Sequence, residues 1–449
     1  MRIPETPPDF RVIMSEVVRE DPKQLEALLS VRAADDKGRY LHWDELRRRK
    51  TSGRMSHERQ WAGMKLTRRQ MANALDFFNT ENDQFSYCEP DCVRRRLRWL
   101  DLNCGGTVTA TRGAASERES QFYLARSIAE EPISSSILEG AATTRARARA
   151  LIEENRDPRD RAERMVLNNY RAMQEIAELK DEPLTPELVM HIHRVITEGT
   201  LENPEKAGVF RDGNDKVDVV DQFEDLLHIP PAADELPARL EKLCAFANGS
   251  EEDEPYVHPI ARAIILHFML AYDHPFVDGN GRVARALFYW SALRSGYWLM
   301  KYVSISHTIR KAPAQYGKAF LKVETDEGDV TYFLDHQLGV LQKAMEELQS
   351  YMERQKKKFI NFESLLSTGQ RGRFNLRQTA LLRDMIRKIT RQMTIGAHQT
   401  RFSISYLTAR SDLEKLAVGG FLVKKKIGQQ NFYRPAPGLE ERLAQTGKS

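Results

Sequence analysis

The sequence predicts a mainly α-helical protein that carries a few short strands. Apolar residues recur at helical spacing almost throughout residues 117–358, and charged helical patterns separated by short turns occupy residues 1–115. Strand-like patterns are confined to a stretch within residues 208–231 and to two segments after residue 420. The chain has 449 residues, 41% of them hydrophobic, which is enough for a sizeable core and, by length, about three domains.

Composition sets outer limits on the function. The net charge of +4 is modest for 449 residues, so binding of nucleic acid by the whole molecule is not implied. No apolar run reaches the roughly 18 residues of a membrane span, and no cationic start with an apolar stretch opens the chain, so a cytoplasmic location without membrane association is expected. Four cysteines do not make a disulfide framework in a chain this long, and we expect free thiols and no zinc site.

Residues 1–115 are expected to form a helical module that ends in a linker. A helical pattern runs from Ser56 to Phe78. The small, polar run from Cys104 to Gly113 suits a linker or an exposed loop ahead of the next helix. Nothing in this module indicates a chemical role.

The most informative segment is the run from His274 to Arg285, His-Pro-Phe-Val-Asp-Gly-Asn-Gly-Arg-Val-Ala-Arg. The backbone N–H groups of its turn, Gly279–Gly281, can form an anion-binding concavity, and the apolar stretch after the turn predicts a helix whose N-terminus faces that concavity. The side chain of Asn280 and nearby N–H groups could stabilise charge on phosphorus oxygens. The run therefore predicts a phosphate site.

The ionisable residues of this run suggest group transfer. Asp278 is a hard oxygen ligand of the kind that Mg²⁺ shares with nucleotide phosphates. Arg282 and Arg285 lie one helical turn apart and can present fork-shaped donors to phosphate oxygens. His274 supplies a base at neutral pH that could take the proton from an attacking hydroxyl. Together these residues indicate nucleotidyl or phosphoryl transfer.

The whole run resembles the signature of Fic-domain proteins, H-x-F-x-(D/E)-G-N-G-R-x-x-R, with every defined position present. The resemblance implies an all-helical catalytic core that transfers AMP from ATP to a hydroxyl side chain of a target protein, with Mg²⁺ required and pyrophosphate leaving. By position, it implies that His274 is the base, Asp278 the Mg²⁺ ligand and Gly279–Gly281 the phosphate cradle. It also implies that Arg285 binds the far end of the triphosphate.

A second segment, Ser135-Ser-Ile-Leu-Glu139-Gly140, resembles the inhibitory motif of the same family, (S/T)-x-x-x-E-(G/N). In family members that carry the motif ahead of the core, its glutamate pairs with the second signature arginine and blocks productive placement of the γ-phosphate. A carboxylate on a phosphate-binding arginine competes for the same donors, and its charge repels the triphosphate. The resemblance therefore implies that Glu139 inhibits the site, in a motif that opens at Ser135.

Two further segments bear on the same site. Within residues 208–231, valines interleaved with polar residues predict a β-hairpin. Fic cores carry a hairpin flap here that adds a target strand beside the active site and covers the nucleotide; a plain surface hairpin is the alternative. Tyr316 and residues 324–329 resemble the family's region around the adenine end of the pocket.

Residues 359–449 resemble a winged-helix domain. The expected elements are two helices, a turn between them and two strands: Arg377–Ile389, Ser405–Ala417, Thr394–Gly396, Phe421–Ile427 and Asn431–Arg434. In such a domain the second helix, with Arg410 and Lys415, would enter a DNA groove, and a lysine-rich wing would contact phosphates. Winged helices also serve as protein docking and dimerisation modules, so DNA binding and homodimer formation both remain open.

The sequence therefore supports a division into a helical module, a Fic catalytic domain and a winged-helix-like domain, at residues 1–115, 116–358 and 359–449. The favoured function is that of a protein adenylyltransferase inhibited by its own Glu139. Two alternatives remain. One is removal of AMP with Glu139 positioning water, and the other is a DNA-binding regulator whose Fic core only senses nucleotide.

Overall fold

The computed structural model describes residues 2–20, 22–50, 55–104, 127–154, 156–220, 223–250, 252–368, 374–386, 390, 392–427 and 430–445. Over these residues the protein is mainly helical, as the sequence predicts. Two compact units can be separated: described residues up to 348 form the first, and those from 349 onward form the second. The expected three-domain division remains a prediction.

The N-terminal part of the first unit contains five helices and one hairpin among its described residues. The helices are α1 (Phe10–Glu20), α2 (Pro22–Leu29), α3 (Trp43–Leu46), α4 (His57–Gln70) and α5 (Asp91–Cys104). The hairpin pairs β1 (Asn73–Phe78) with β2 (Gln84–Tyr87) in antiparallel fashion. The helical pattern expected to reach Phe78 therefore ends at Gln70. The reason is that Leu75 and Phe77 are buried in alternation with exposed neighbours, the period of a strand.

The rest of the first unit is built from helices that surround the signature run. They are α6 (Glu130–Leu138), α7 (Arg145–Glu154), α8 (Arg161–Glu178), α9 (Pro186–Thr197), α10 (Leu236–Ala247), α11 (Pro259–Asp273), α12 (Asn280–Arg294), α13 (Ile305–Ile309), α14 (Pro313–Glu324) and the part of α15 (Thr331–Thr368) up to residue 348. The expected hairpin is present as β3 (Val219–Val220) paired antiparallel with β4 (Leu226–His228), and we refer to it as the flap.

Helices α11 and α12 form the centre of this unit. Every residue of α11 except Ala271 is buried, and residues 282–293 of α12 are buried as well. Because a helix that is apolar on all sides can be stable only when other elements surround it, their sequences predict a central position. The signature run connects these two helices, so its loop is held between rigid, fully packed elements.

The second unit has its own core and a three-stranded sheet. Its elements after α15 are α16 (Leu376–Ile386), β5 (Met393–Thr394), α17 (Ile395–Phe402), α18 (Tyr406–Val418), β6 (Leu422–Ile427), β7 (Gln430–Pro435) and α19 (Leu439–Gln445). The strand order is β5-β7-β6, with both pairs antiparallel. Leu381, Leu413 and Tyr433 are among the side chains buried between helices and sheet.

Some expectations for this unit need correction. The segment Thr394–Gly396, expected as a turn, contains the end of β5 and the start of α17, because the Thr394 side chain caps the helix by accepting from Ala397 N–H. The last residues of the first expected helix, 387–389, lie outside the described residues, as do 428–429 of the wing turn and 105–113 of the expected linker. None of the described helices has the length and hydropathy needed to span a membrane.

Candidate active site

The loop between α11 and α12 carries His274 and Asp278 of the signature run. His274 follows α11 in the left-handed region, at φ 46°, and Gly279 precedes α12 at φ 90°. The Asn280 side chain closes the loop from inside, since its Oδ1 accepts from Phe276 N–H at 2.9 Å and its Nδ2 donates to Phe276 O at 2.7 Å. The Asn280 amide is therefore occupied in shaping the loop rather than facing phosphorus oxygens, as the sequence suggested, and its backbone N–H is the group left for an anion.

A left-handed histidine costs roughly 1–2 kcal/mol, so surrounding groups must hold it in place. Arg211 does so: its Nε donates to His274 O at 2.8 Å and its backbone N–H donates to Pro275 O at 2.9 Å. The guanidinium also donates to Pro231 O at the far end of the flap segment. Sequence reasoning missed Arg211, because nothing in its local pattern marks it.

His193 supports the other end of the loop. Its ring stacks on Phe276 with centroids 3.7 Å apart, and its Nδ1 accepts from Gly208 N–H at 2.9 Å. The Nε2 must then carry the proton, which it donates to Asp278 O at 2.9 Å. Burial lowers the pKa of His193 to about 4, so this ring is neutral at physiological pH. It fixes the peptide that precedes Gly279.

The His274 ring is set up as a base. Its Nδ1 lies 3.1 Å from Ala271 O, and because a carbonyl can only accept, the proton of the neutral ring is on Nδ1. This leaves the Nε2 lone pair free to take a proton. Burial lowers the pKa of His274 below its ordinary value of 6.5, with the bond to Ala271 acting in the opposite direction. The ring is therefore mostly in the basic form at neutral pH.

His274 opens onto a cavity of about 350 Å³. The other predicted site residues that line this cavity are Glu139, Asp278, Gly279, Asn280, Gly281, Arg285 and Tyr316. The fold thus brings together residues that lie up to 177 positions apart in the sequence, from Glu139 to Tyr316. The flap contributes Val219 and Leu227 to the wall.

Asp278 is the candidate metal ligand. Its Oδ1 accepts from Gly279 N–H at 2.5 Å, and its Oδ2 lies 3.5 Å from the Arg161 guanidinium. The side chain is 42% exposed, which leaves room for further ligands. Mg²⁺ commonly binds through one or two carboxylates together with substrate phosphates and water, so this donor set fits it. Among the described residues there is no group of three or more His, Cys, Asp or Glu side chains that could hold a metal ion.

Arg282 lies fully buried beneath the turn. Its two Nη atoms make long contacts, 3.3 Å to Ile196 O and 3.4 Å to Asp278 Oδ1, and its buried Nε has no hydrogen-bond partner among the described residues. Burial lowers its pKa from the ordinary value, but a guanidinium stays charged in proteins. The site therefore has positive charge behind the loop that its own carboxylates only partly neutralise.

Arg285 is bound to both ends of the second motif. Its Nε donates to Ser135 Oγ at 2.9 Å, and its Nη2 donates to Glu139 Oε1 at 2.8 Å. The side chain is only 2% exposed. Burial acts to lower the pKa of Arg285, but Glu139 together with Tyr316 and Glu131 offsets it, and the pKa is raised. The predicted pairing of Glu139 with the second arginine is present in the structure.

The Glu139 carboxylate also lies against the first turn of α12. A Cβ placed on Gly281 would come within 2.3 Å of Glu139 Oε1, so only glycine admits the carboxylate here. Helix α6 ends at Leu138, with Glu139 as its C-cap residue, because Gly140 then adopts φ 89°. The Gly140 N–H donates to Ile137 O, and the Ala141 N–H donates to Ser136 O. These two bonds form a Schellman motif. The Glu-Gly pair of the motif thus combines an anion with the helix stop that presents it.

Helix α6 is held by a buried carboxylate that sequence reasoning did not single out. Glu131 accepts from Ser304 Oγ at 2.8 Å, from Ser306 N–H at 3.0 Å and from Ser306 Oγ at 2.6 Å. On the other side, Asn169 of α8 donates to Pro132 O at 3.2 Å. These bonds fix the register of α6, and with it the height of Glu139 above α12.

Tyr316 lines the cavity, and its hydroxyl lies 2.9 Å from His267 Nε2. Burial raises the pKa of Tyr316 to about 12, so it is a neutral phenol. Of residues 324–329, only Glu324 reaches the cavity. Asp326 instead pairs with Lys65 of α4 at 2.6 Å, and Asp329 accepts from the Tyr40 hydroxyl at 2.6 Å, so these carboxylates bind the N-terminal part of the unit rather than the cavity.

The chain is similar to known proteins in the region of the signature run. The Fic/DOC family model matches residues 183–292. A protein adenylyltransferase Fic of Nematostella vectensis is 34% identical over 119 residues, which is 26% of this chain and 25% of that protein. One of Drosophila melanogaster is 37% identical over 70 residues, which is 16% of this chain and 14% of that protein. The match therefore spans about a quarter or less of these curated relatives' length.

Two solved structures are similar to this chain at low identity. A Fic family protein from Desulfovibrio desulfuricans aligns with a TM-score of 0.48 and 19% identity over 77% of this chain and 95% of that one. Fic-1 from C. elegans aligns with a TM-score of 0.45 and 19% identity over 59% of this chain and 71% of that one. The family match covers the entire signature run and confirms the resemblance seen in the sequence: this chain carries a Fic domain.

Proposed function

We propose that this protein is an adenylyltransferase that moves AMP from ATP to a hydroxyl side chain of a target protein. The observation that carries the proposal is the His274 ring: its Nδ1 proton is committed to Ala271 O, so its Nε2 is free as a base at the wall of the cavity. The carboxylate of Asp278 and the first turn of α12 line the same cavity. The names of the relatives, protein adenylyltransferase Fic, support the same reaction.

The proposed reaction is an in-line displacement at the α-phosphorus. The target hydroxyl oxygen forms a bond to phosphorus while His274 Nε2 takes its proton, and the bond to the bridging oxygen breaks so that pyrophosphate leaves. In this proposal the phosphate oxygens are bound by the backbone N–H groups of Asn280 and Gly281 and by the guanidinium of Arg285, all of which line the cavity. The buried Arg282 adds positive charge behind the loop. A Mg²⁺ held by Asp278 would neutralise phosphate charge.

We propose further that Glu139 inhibits this reaction by occupying two phosphate sites at once. It takes an Nη donor of the buried Arg285, and it fills the space in front of the first turn of α12. A carboxylate there imitates a phosphate oxygen, because both are anions that accept from a guanidinium and from a helix N-terminus. ATP must displace this carboxylate to place its triphosphate, and the displaced charge would stay close enough to repel it.

Labelled nucleotide tests the proposal directly. Wild-type protein, Glu139→Gly and Glu139→Gly/His274→Ala are incubated with Mg²⁺ and ATP labelled on the α-phosphate, and covalent label on the protein is measured. We expect label to rise in Glu139→Gly and to vanish in the double variant. A parallel reaction with ATP labelled on the γ-phosphate should give none. A Glu139→Gly protein that binds ATP and yet never gains α-label would refute adenylyl transfer.

For the second unit we infer a winged-helix domain with DNA as partner. Its support is the element order around a β5-β7-β6 sheet and the exposure of Arg410 and Lys415 on α18. Exposed Leu407 on the same helix suits a protein partner or a second copy of the chain instead. Retention on duplex DNA that falls steeply with salt and is lost in Arg410→Ala/Lys415→Ala supports DNA. A molecular mass in solution that doubles as the protein concentration rises, without retention on DNA, supports a homodimer.

A further inference from the structure

His228, the last residue of β4, joins the flap to the two helices that frame the cavity. It is 9% exposed, and its ring packs on the Tyr272 ring at 4.5 Å. Its Nε2 lies 2.8 Å from Tyr272 O on α11, and its Nδ1 lies 2.9 Å from Glu324 Oε2 on α14. Tyr272 is two residues before His274, so one end of this link is next to the base.

Both partners of the ring are acceptors. A carbonyl oxygen carries no proton, and a carboxylate is ionised at neutral pH, so each bond needs a proton on the histidine nitrogen. A neutral imidazole has only one such proton, and the two bonds together require the imidazolium. The geometry thus sets the protonation state of His228, in contrast to His193, whose Nδ1 accepts from a backbone N–H.

The charges around the ring favour the same state. Glu324 is bonded directly, and Asp273 lies nearby with Arg239 as its partner at 2.8 Å. Two groups disfavour a charge on His228: Arg211, which holds the adjacent loop, and His274. Burial acts to lower the pKa of His228, but the bonds to Glu324 and Tyr272 and the charge of Glu324 outweigh it, so the pKa is raised above 6.5.

We propose that His228 is a positioning residue which, as an imidazolium bonded to Glu324 and to Tyr272 O, pins the flap against the helix that delivers the base. The inference rests on the proposed function in one respect, which is that the flap helps to hold the target protein and the nucleotide. The flap residues Val219 and Leu227 line the cavity, so their distance from His274 depends on this anchor.

The anchoring of the flap by His228 and the basicity of His274 should depend on pH in opposite directions. A group whose pKa is raised in the folded protein contributes its interaction at low pH and loses it as the pH rises through that raised value. Above that value the ring keeps a single proton, which stays toward the Glu324 carboxylate as the stronger acceptor, so Nε2 would face Tyr272 O lone pair against lone pair and the flap would loosen from α11. His274, whose pKa is lowered, becomes competent as the pH rises. The site works best between the two transitions, with the Michaelis constant for the protein target rising on the alkaline side.

The first test observes the ring itself in the full chain. The protein is labelled with ¹⁵N-histidine, and the His228 side-chain resonances are assigned by their absence in His228→Asn. At pH 6.5, where an ordinary histidine is half charged, we expect both His228 nitrogens to be predominantly protonated. In Glu324→Gln the transition should move to lower pH. A His228 ring with a single protonated nitrogen at pH 6.5 would overturn the proposal.

The second test measures the flap. Hydrogen exchange of amides in residues 217–220 and 226–228 should be about tenfold faster in Glu324→Gln and His228→Asn than in wild type, because a bond to a charged group is lost. The matched control is His191→Asn, which removes another histidine–glutamate pair, His191 with Glu175 at 2.9 Å on the surface of α9 and α8. Amide exchange in the flap that stays unchanged in both Glu324→Gln and His228→Asn would also overturn the proposal. Neither readout needs catalysis, so failure of the adenylyl transfer assay leaves this test intact.

Discussion

Replacing Glu139 with glycine is expected to strengthen ATP binding about tenfold. The variant removes the carboxylate that holds Arg285 at 2.8 Å, and the guanidinium is only 2% exposed while the glutamate is 30% exposed. A hydrogen bond between charged groups contributes roughly 1.5–3 kcal/mol, and the partial exposure of Glu139 favours the lower end. About 1.4 kcal/mol corresponds to a factor of ten in binding. ATP no longer has to displace that bond, so its affinity rises by about that factor.

The gain should depend on which phosphates the nucleotide carries. Arg285 is proposed to bind the far end of the triphosphate, so the gain should be large for ATP and absent for AMP. Calorimetric titration of wild type, Glu139→Gly and Glu139→Gln with Mg²⁺ and each nucleotide measures this. Glu139→Gln keeps a hydrogen-bond acceptor and loses the charge, so it should fall between the other two proteins.

Two results would refute the competition. One is ATP affinity that agrees within about twofold between wild type and Glu139→Gly, which would mean that the carboxylate costs ATP nothing. The other is an equal gain for ATP and AMP, which would place the effect away from the far phosphates. Adding Arg285→Ala to Glu139→Gly should reverse the gain, because the released donors are then gone.

The remaining predictions concern the base, the inhibitory helix and the helix stop. His274→Ala should lose label transfer at least a hundredfold with ATP affinity unchanged, since general-base catalysis contributes roughly 10²–10⁴-fold; equal loss of binding would argue for a structural role. With saturating nucleotide and Glu139→Gly protein, kcat should hold at pH 6.5 and fall only below it, because burial lowers the pKa of His274 and the base acts unprotonated; a midpoint above 6.5 contradicts this. Glu131→Ala should raise basal labelling and lower thermal stability, since it leaves the Ser304 and Ser306 donors unpaired at roughly 1–3 kcal/mol, whereas Glu130→Ala serves as the neighbouring control. Gly140→Ala should raise labelling to a smaller extent, because a left-handed alanine costs roughly 1–2 kcal/mol and weakens the end of α6.

Helix positions around the signature were predictable because α11 is largely apolar and an apolar stretch follows the turn in α12. The burial of Arg282 and Arg285 within α12 was not predictable from composition. The strand β1 was missed, since Asn73–Phe78 follows a charged helix without a glycine or proline to separate them. Helix α17 was missed because Thr394–Gly396 looks like a turn, while in the fold Thr394 acts as a helix cap. Local pattern cannot distinguish a short turn from the start of a short helix when tertiary packing decides.

The residues of the loop could be read from the sequence, because His274, Asp278, the turn and both arginines lie within twelve consecutive residues whose spacing places them close together. The sequence also pointed to Glu139 through a short motif. Tertiary packing brings Glu139 to Arg285 and Gly281, which lie 146 and 142 positions away in the chain, and lets Arg211, His193 and His228 hold the loop and the flap. Those residues each act through a few hydrogen bonds between elements distant in the chain. Such bonds leave no periodic trace in the sequence, since they depend on which elements the fold brings together.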